Sequence, residues 1–334
     1  IENRAKEGGA LCIGEMTVHL ASIINSKFIR NMADYFGGAI YTKFFKLQLV
    51  YCTFFQNEAK TNGGACWAMG FYKSIKDKKS AKSVVISNCI FKENIAGSYS
   101  GAVMIFRVIA VYILNTHFQG NTAGIVGALY YRTLATKQPN ALVIINGCYF
   151  VQHTAYRTPR YSDTDGGTVY IRCQDVKIAI LVNNTQFIGN KALGVSGAAI
   201  NVKIRSFYPP SRNISVINSH FICNQAKKTG GAIHMNLRFE PHLKKYSLTI
   251  AFKVKISNNL FLNNTAQQGG AIYAEVCSRL LIKSTVFKNN RALNSGGAIS
   301  FITTKNQGRE QCKWHVGPPC SFKENMAQKT GKFN

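Results

Sequence analysis

Residues Phe261-Leu-Asn-Asn-Thr-Ala-Gln-Gln-Gly-Gly-Ala-Ile272 join two short signals, F-x-x-N and G-G-A-I, through Ala266. The phrase returns along the whole chain, and a period of this length marks an array of one structural unit. Its phenylalanines are Phe28, Phe54, Phe91, Phe118, Phe187, Phe221, Phe261, Phe287 and Phe322. The asparagines three residues on are Asn31, Asn57, Asn94, Asn121, Asn190, Asn224, Asn264, Asn290 and Asn325. Phe150 keeps the phase, with His153 in the asparagine's place. Two residues further on every unit has alanine, from Ala33 to Ala327, and a glycine follows.

Upstream of each phenylalanine, aliphatic residues alternate with others, as in Val84 and Ile86 before Phe91 or Ile214 and Val216 before Phe221. Period-two alternation reads as a strand with one face buried. Each unit is therefore a strand, a tight bend, a short strand with an inward Phe, a bend at Asn and Ala, a Gly-Gly bend, and a strand beginning Ala-Ile or Ala-Leu. Units with three short strands and bends at fixed phase stack as coils of a parallel β-helix. About eleven coils account for residues 1–334 as one domain. Successive coils should lie ~4.8 Å apart, which turns the Phe and Asn positions into ladders. Stacked rings add ~0.5–1.5 kcal/mol per pair beyond area burial. Asn at the bend is expected to take φ > 0 and bond its own backbone, or to bond the next coil. Glycine is expected where the chain turns with φ > 0 or runs close to the next coil. A leucine-rich array would need leucines at fixed short spacing, and none recur that way.

Lys and Arg number 41 against 14 Asp and Glu, a net charge of +27. Such a surface attracts polyanions. The aromatics sit at core phase and are not free to stack on bases, so no specific nucleic-acid partner is expected. No run reaches transmembrane length, and the most apolar stretch, Met104 to Leu114, carries Arg107 and fits two strands better than a spanning helix. The longer units carry excursions, mostly after the Gly-Gly-Ala strand and hence on one face. They hold the candidate polyanion contacts: Lys76, Lys78 and Lys79, Arg205 and Arg212, Lys244 and Lys245. An excursion at another phase, Tyr156 to Asp165, contains Asp163 and Asp165, too few carboxylates for calcium.

Of ten cysteines, Cys52, Cys89, Cys148 and Cys320 occupy a small position two before the Phe. Buried thiols explain these as well as bridges do. Cys52 and Cys89 lie at one phase of adjacent coils, where a bridge fits, and Cys312 and Cys320 flank an excursion that they would staple. No paired C-x-x-C clusters occur, so no zinc site is expected, nor any cofactor. The sequons at Asn183, Asn213 and Asn263 favour an extracellular glycoprotein. Asn213 lies in an excursion; Asn183 and Asn263 stand beside ladder positions, where a glycan fits only if the side chain faces outward. Polysaccharide cleavage needs clustered carboxylates. The five Asp share no phase and the seven His are scattered, so no catalytic residue is assigned; His153 reads as structural.

The paired motifs resemble those of the chlamydial polymorphic membrane proteins. They read Gly8-Gly-Ala-Leu11, Gly37-Gly-Ala-Ile40, Gly230-Gly-Ala-Ile233, Gly269-Gly-Ala-Ile272 and Gly296-Gly-Ala-Ile299, with the nine F-x-x-N. The resemblance covers the full chain and implies a right-handed parallel β-helix displayed outside the cell, with adhesive roles. Those proteins carry a C-terminal outer-membrane barrel, and residues 1–334 show no such segment. The two ends share one repeat phase and show no cap, which leads to the expectation of head-to-tail stacking with copies of itself. Three readings follow: a non-catalytic extracellular subunit of a filament or matrix fibre, an adhesin-like module holding acidic glycans, and a polysaccharide-active enzyme.

Overall fold

A computed structural model describes residues 1–14, 20–44, 46–70, 82–134, 140–156, 165–174, 176–206, 213–239, 252–276, 279–302 and 313–328. Within them the chain is a right-handed parallel β-helix of four sheets, one eleven strands deep and three ten deep. One coil shows the plan: Ile95–Ala96 in the first sheet, Val103–Phe106 in the second, Ala110–Leu114 in the third and His117–Gln119 in the fourth. Every strand pairs in parallel with its counterparts above and below, so like positions stack.

Each coil therefore has four strands rather than three. The segment read as a bend at Asn and Ala is a strand, with Ala96 opposite both Ala59 and Ala123. Its usual two residues are too few to show an alternation. The left-handed residue also differs from the expectation. The ladder asparagines are not among the positive-φ residues; the residue before each is, as at Arg30 (φ 52), Glu93 (φ 54) and Asn263 (φ 55). The Asn amide is thereby turned inward along the stack instead of back onto its own chain.

Inside, ten rings from Phe28 to Phe322 form one column, with centroids 4.6–5.0 Å apart and planes within 8°. Beside it runs the amide ladder. Asn94 Oδ1 accepts from the backbone N–H of Asn57 at 3.0 Å and from its Nδ2 at 2.9 Å. Asn94 Nδ2 donates to Phe54 O at 3.1 Å and to Asn121 Oδ1 at 2.8 Å. Every hydrogen-bonding capacity of the buried amide is filled, which neither Asp nor Ala would manage. The two glycines of the Gly-Gly bend have separate tasks. Gly37 takes φ +63, and a Cβ on Gly38 would stand 2.1 Å from the carbonyl oxygen of Gly64 in the next coil.

His153 breaks the ladder's chemistry and keeps its place. Its Nδ1 accepts from the Asn121 backbone N–H at 3.0 Å, and its own N–H donates to Asn190 Oδ1 at 3.1 Å. Nε2 is buried without a hydrogen-bond partner. Burial holds the imidazole neutral, with its pKa pushed down to about 3.

Candidate functional site

With the inside committed to ladders, partner-specific chemistry falls to the outward residues. The ten third-sheet strands contain no Asp or Glu, and neither do the ten of the fourth sheet. In the middle coils the outer third sheet is apolar and half-exposed: Val85, Tyr112, Ile144 and Leu181 stack in one column. The character changes at Lys253–Ser257 and Arg279–Lys283. Lys253 lies directly opposite Arg279, and Arg279 opposite Lys313. Lys253, Lys255, Arg279 and Lys283 are all exposed. None of the four makes an ion pair among the described residues.

Parallel neighbours ~4.8 Å apart and a rise of ~3.3 Å per residue make this a field of roughly 5 by 13 Å. Like charges directly opposite destabilise a sheet. No carboxylate in the strands of these two sheets offsets them. Among the described residues several carboxylates lie elsewhere and are ion-paired. Asp34 bridges Arg4 at 3.2 Å and Lys60 at 2.6 Å, which holds its carboxyl below the usual range. Glu275 accepts from Arg238 at 2.7 Å, and Asp165 pairs with Lys203.

Of the contacts expected from sequence, Arg205 is the penultimate residue of the second-sheet strand Ile200–Ser206, opposite Arg238. Lys76, Lys78, Lys79, Arg212, Lys244 and Lys245 lie outside the described residues, as do Asp163 and Cys312. Asn213 is exposed and begins the strand Asn213–Ile217, opposite Lys253, instead of sitting within an excursion. Asn263 is exposed at its corner. Asn183 is half-buried, with Nδ2 donating to Asn146 Oδ1 at 2.7 Å and Oδ1 accepting from Asn218 at 2.9 Å. Cys52, Cys89 and Cys320 are free thiols.

A polar group that the sequence reading missed lies on the outer second sheet. Thr229 Oγ1 donates to Ser196 Oγ at 2.9 Å and meets His234 Nδ1 at 2.7 Å. His234 stacks on Tyr273 with centroids 5.2 Å apart, and burial pushes its pKa down to about 4. Ser196 and His234 are buried. Thr229 is half-buried, and the closed Ser196 and His234 suit bracing of the corner better than reaction with a polymer. Among the described residues no three His, Cys, Asp or Glu side chains gather to hold a metal ion, and no helix is long and apolar enough to cross a membrane. The cationic field was legible as Lys253 and Lys255 at alternate positions of one strand, but only the register brings Arg279 beside them.

Neither a curated protein nor a solved structure matches the chain. Residues 260–275 and 284–301 match the family model described as the Chlamydia polymorphic membrane protein repeat. The two stretches cover the same phase of successive coils, from the fourth-sheet Phe strand to the second-sheet strand. In these coils the chain is similar to that repeat in sequence and folds as a parallel β-helix.

Proposed function

We propose that this protein is a non-catalytic β-helix displayed outside the cell that holds linear acidic glycans against the cationic end of its third sheet. The observation that carries the reading is the field of Lys253, Lys255, Arg279 and Lys283 on two neighbouring strands of the third sheet, whose strands hold no carboxylate. A repeat matched to a membrane-protein family supports display at a surface. Described carboxylates that are dispersed along the chain support a binding role over glycan cleavage, which needs two of them facing one bond. Binding of a sulfated polysaccharide, followed across salt concentration, tests the proposal. Wild type should bind and weaken steeply with salt. A variant with all four cations changed to Gln should bind about tenfold or more weakly. Binding that ignores salt, or survives the four changes, would overturn it.

A second reading, end-to-end stacking into a fibre, is favoured by one observation. Phe322 in the last described coil is 48% exposed, whereas Phe54 to Phe287 are fully buried. Another coil, from further sequence or from a second copy, would bury it. Electron microscopy of the purified chain separates the cases. Filaments with an axial repeat near 50 Å, eleven coils at the strand spacing, support stacking of copies; single short rods at high concentration exclude it.

A further inference from the structure

The position two before each ladder Phe forms a column of its own at the corner between the third and fourth sheets. Its occupants include Cys52, Cys89, Thr116, Cys148, Thr185 and Ser219, all buried. Their side chains share one task. Each accepts from the backbone N–H of the coil before, as Thr116 Oγ1 does from Cys89 at 3.3 Å and Ser219 Oγ from Thr185 at 3.2 Å. Each hydroxyl also donates to the carbonyl two residues back, as Thr116 does to Leu114 O at 2.8 Å. The column calls for a small polar atom, and Ser, Thr and Cys all supply one.

At a single place in this column two cysteines are neighbours. Cys52 N–H donates to Cys89 Sγ at 3.4 Å, and the Ile90 N–H donates to Cys52 O at 2.9 Å, so the two residues are stacked coil on coil. Backbones at the ~4.8 Å spacing of parallel strands fall inside the Cα separation of ~4.4–6.8 Å that a disulfide spans. Cys148, in contrast, stacks between Thr116 and Thr185 and has no thiol within reach along the column.

We propose that Cys52 and Cys89 are an oxidation site, closed as a disulfide that staples the second coil to the third. The oxidant is an external disulfide of the glutathione class. Cys52 thiolate attacks one of its sulfurs and releases a thiolate. Cys89 thiolate then attacks Cys52 sulfur and releases the second. The two protons of the cysteines end on the two released thiols, so two protein thiols are oxidised as one external disulfide is reduced. Both sulfurs are closed off in the finished coil, which places the exchange during folding.

The full chain, folded in reduced and oxidised glutathione, is unfolded in an alkylating reagent and mapped by peptide mass. The expected product is a peptide pair joined through Cys52 and Cys89, with Cys148 alkylated. Cys89→Thr, which installs the residue already present at Thr116 and Thr185, should abolish the pair and leave Cys52 alkylated. Reduction should lower the melting temperature of wild type by several degrees and leave that of Cys89→Thr unchanged. Folded wild type with both thiols alkylated, or with Cys52 joined to another cysteine, would overturn the proposal. The wild-type map decides the matter even if the variant does not fold.

Discussion

The inner and outer faces of the third and fourth sheets are made by the same strands and follow opposite rules. Inside, Phe follows Phe and Asn follows Asn from coil to coil, with planes within 8°. Outside, the column holding Val85, Tyr112, Ile144 and Leu181 reaches Lys255 within two further coils. The Phe and Asn ladders vary little, with His153 the one exception, because each of their residues is the packing partner of its own copy above and below. The outer face is free of that constraint, and there one end of the molecule gathers cations that the fold does not need. The repeat therefore describes the scaffold, and the departure from repetition at Lys253–Lys283 is where the proposed partner would be met.

The largest effect should come from breaking the inner rule. Phe221→Ala removes a ring stacked on both sides and should cost about 3–5 kcal/mol. Asn94→Ala strands the Asn57 donors, Phe54 O and Asn121 Oδ1, and should cost about 2–4 kcal/mol. Chemical denaturation measures both, and a change below about 1 kcal/mol would mean that the ladders do not carry the fold.

The one irregular inner rung gives a pH effect of its own. His153 is neutral in the fold, with its pKa pushed down to about 3, against about 6.5 when unfolded. Its folded pKa is depressed, so its contribution is fully present above about pH 6.5. It falls as the unfolded state takes up protons, by about 2–3 kcal/mol at pH 4.5. His153→Asn, which restores the rung, should remove this part of the pH dependence. His234, pushed to about 4 by burial, contributes a second loss of about 2–3 kcal/mol at the same pH, which stays in the variant. An unchanged pH profile in the variant would contradict the assignment.

Changes on the outer face should leave the fold intact and act on binding. Lys255→Glu with Arg279→Glu should weaken a sulfated glycan by about tenfold, or 1.4 kcal/mol, with little change in melting temperature. A glycan on Asn213, opposite Lys253, should weaken the same binding. The smallest effect is on stability. Arg279→Gln relieves the opposition with Lys253 and should stabilise by about 0.2–1 kcal/mol; destabilisation would show that the cations serve the fold after all.

The inner face could be read from the chain because its signals recur at one phase, and a spacing of 26 residues between Phe28 and Phe54 carries the same information as 40 between Phe221 and Phe261. The first sheet was hidden because a two-residue strand such as Ile95–Ala96 has no period. Left-handed Arg30 and Glu93 were hidden because neither residue type announces φ > 0. The second strand of the cationic field was hidden for another reason. Lys253 and Arg279 are 26 residues apart in sequence and become neighbours only through the register. The sequence places polyanion contacts in the excursions, whereas the described field lies on the strands that the excursions lead into.

Lysine footprinting tests the central claim most directly. The folded chain is acetylated with and without a bound sulfated oligosaccharide, and each lysine is compared by mass. Lys253, Lys255 and Lys283 should be protected, while Lys46 and Lys191, equally exposed on other coils, should react as before. Protection spread over all exposed lysines, or centred on Lys46 or Lys191, would show that net charge alone attracts the anion and that the cationic end of the third sheet is not its site.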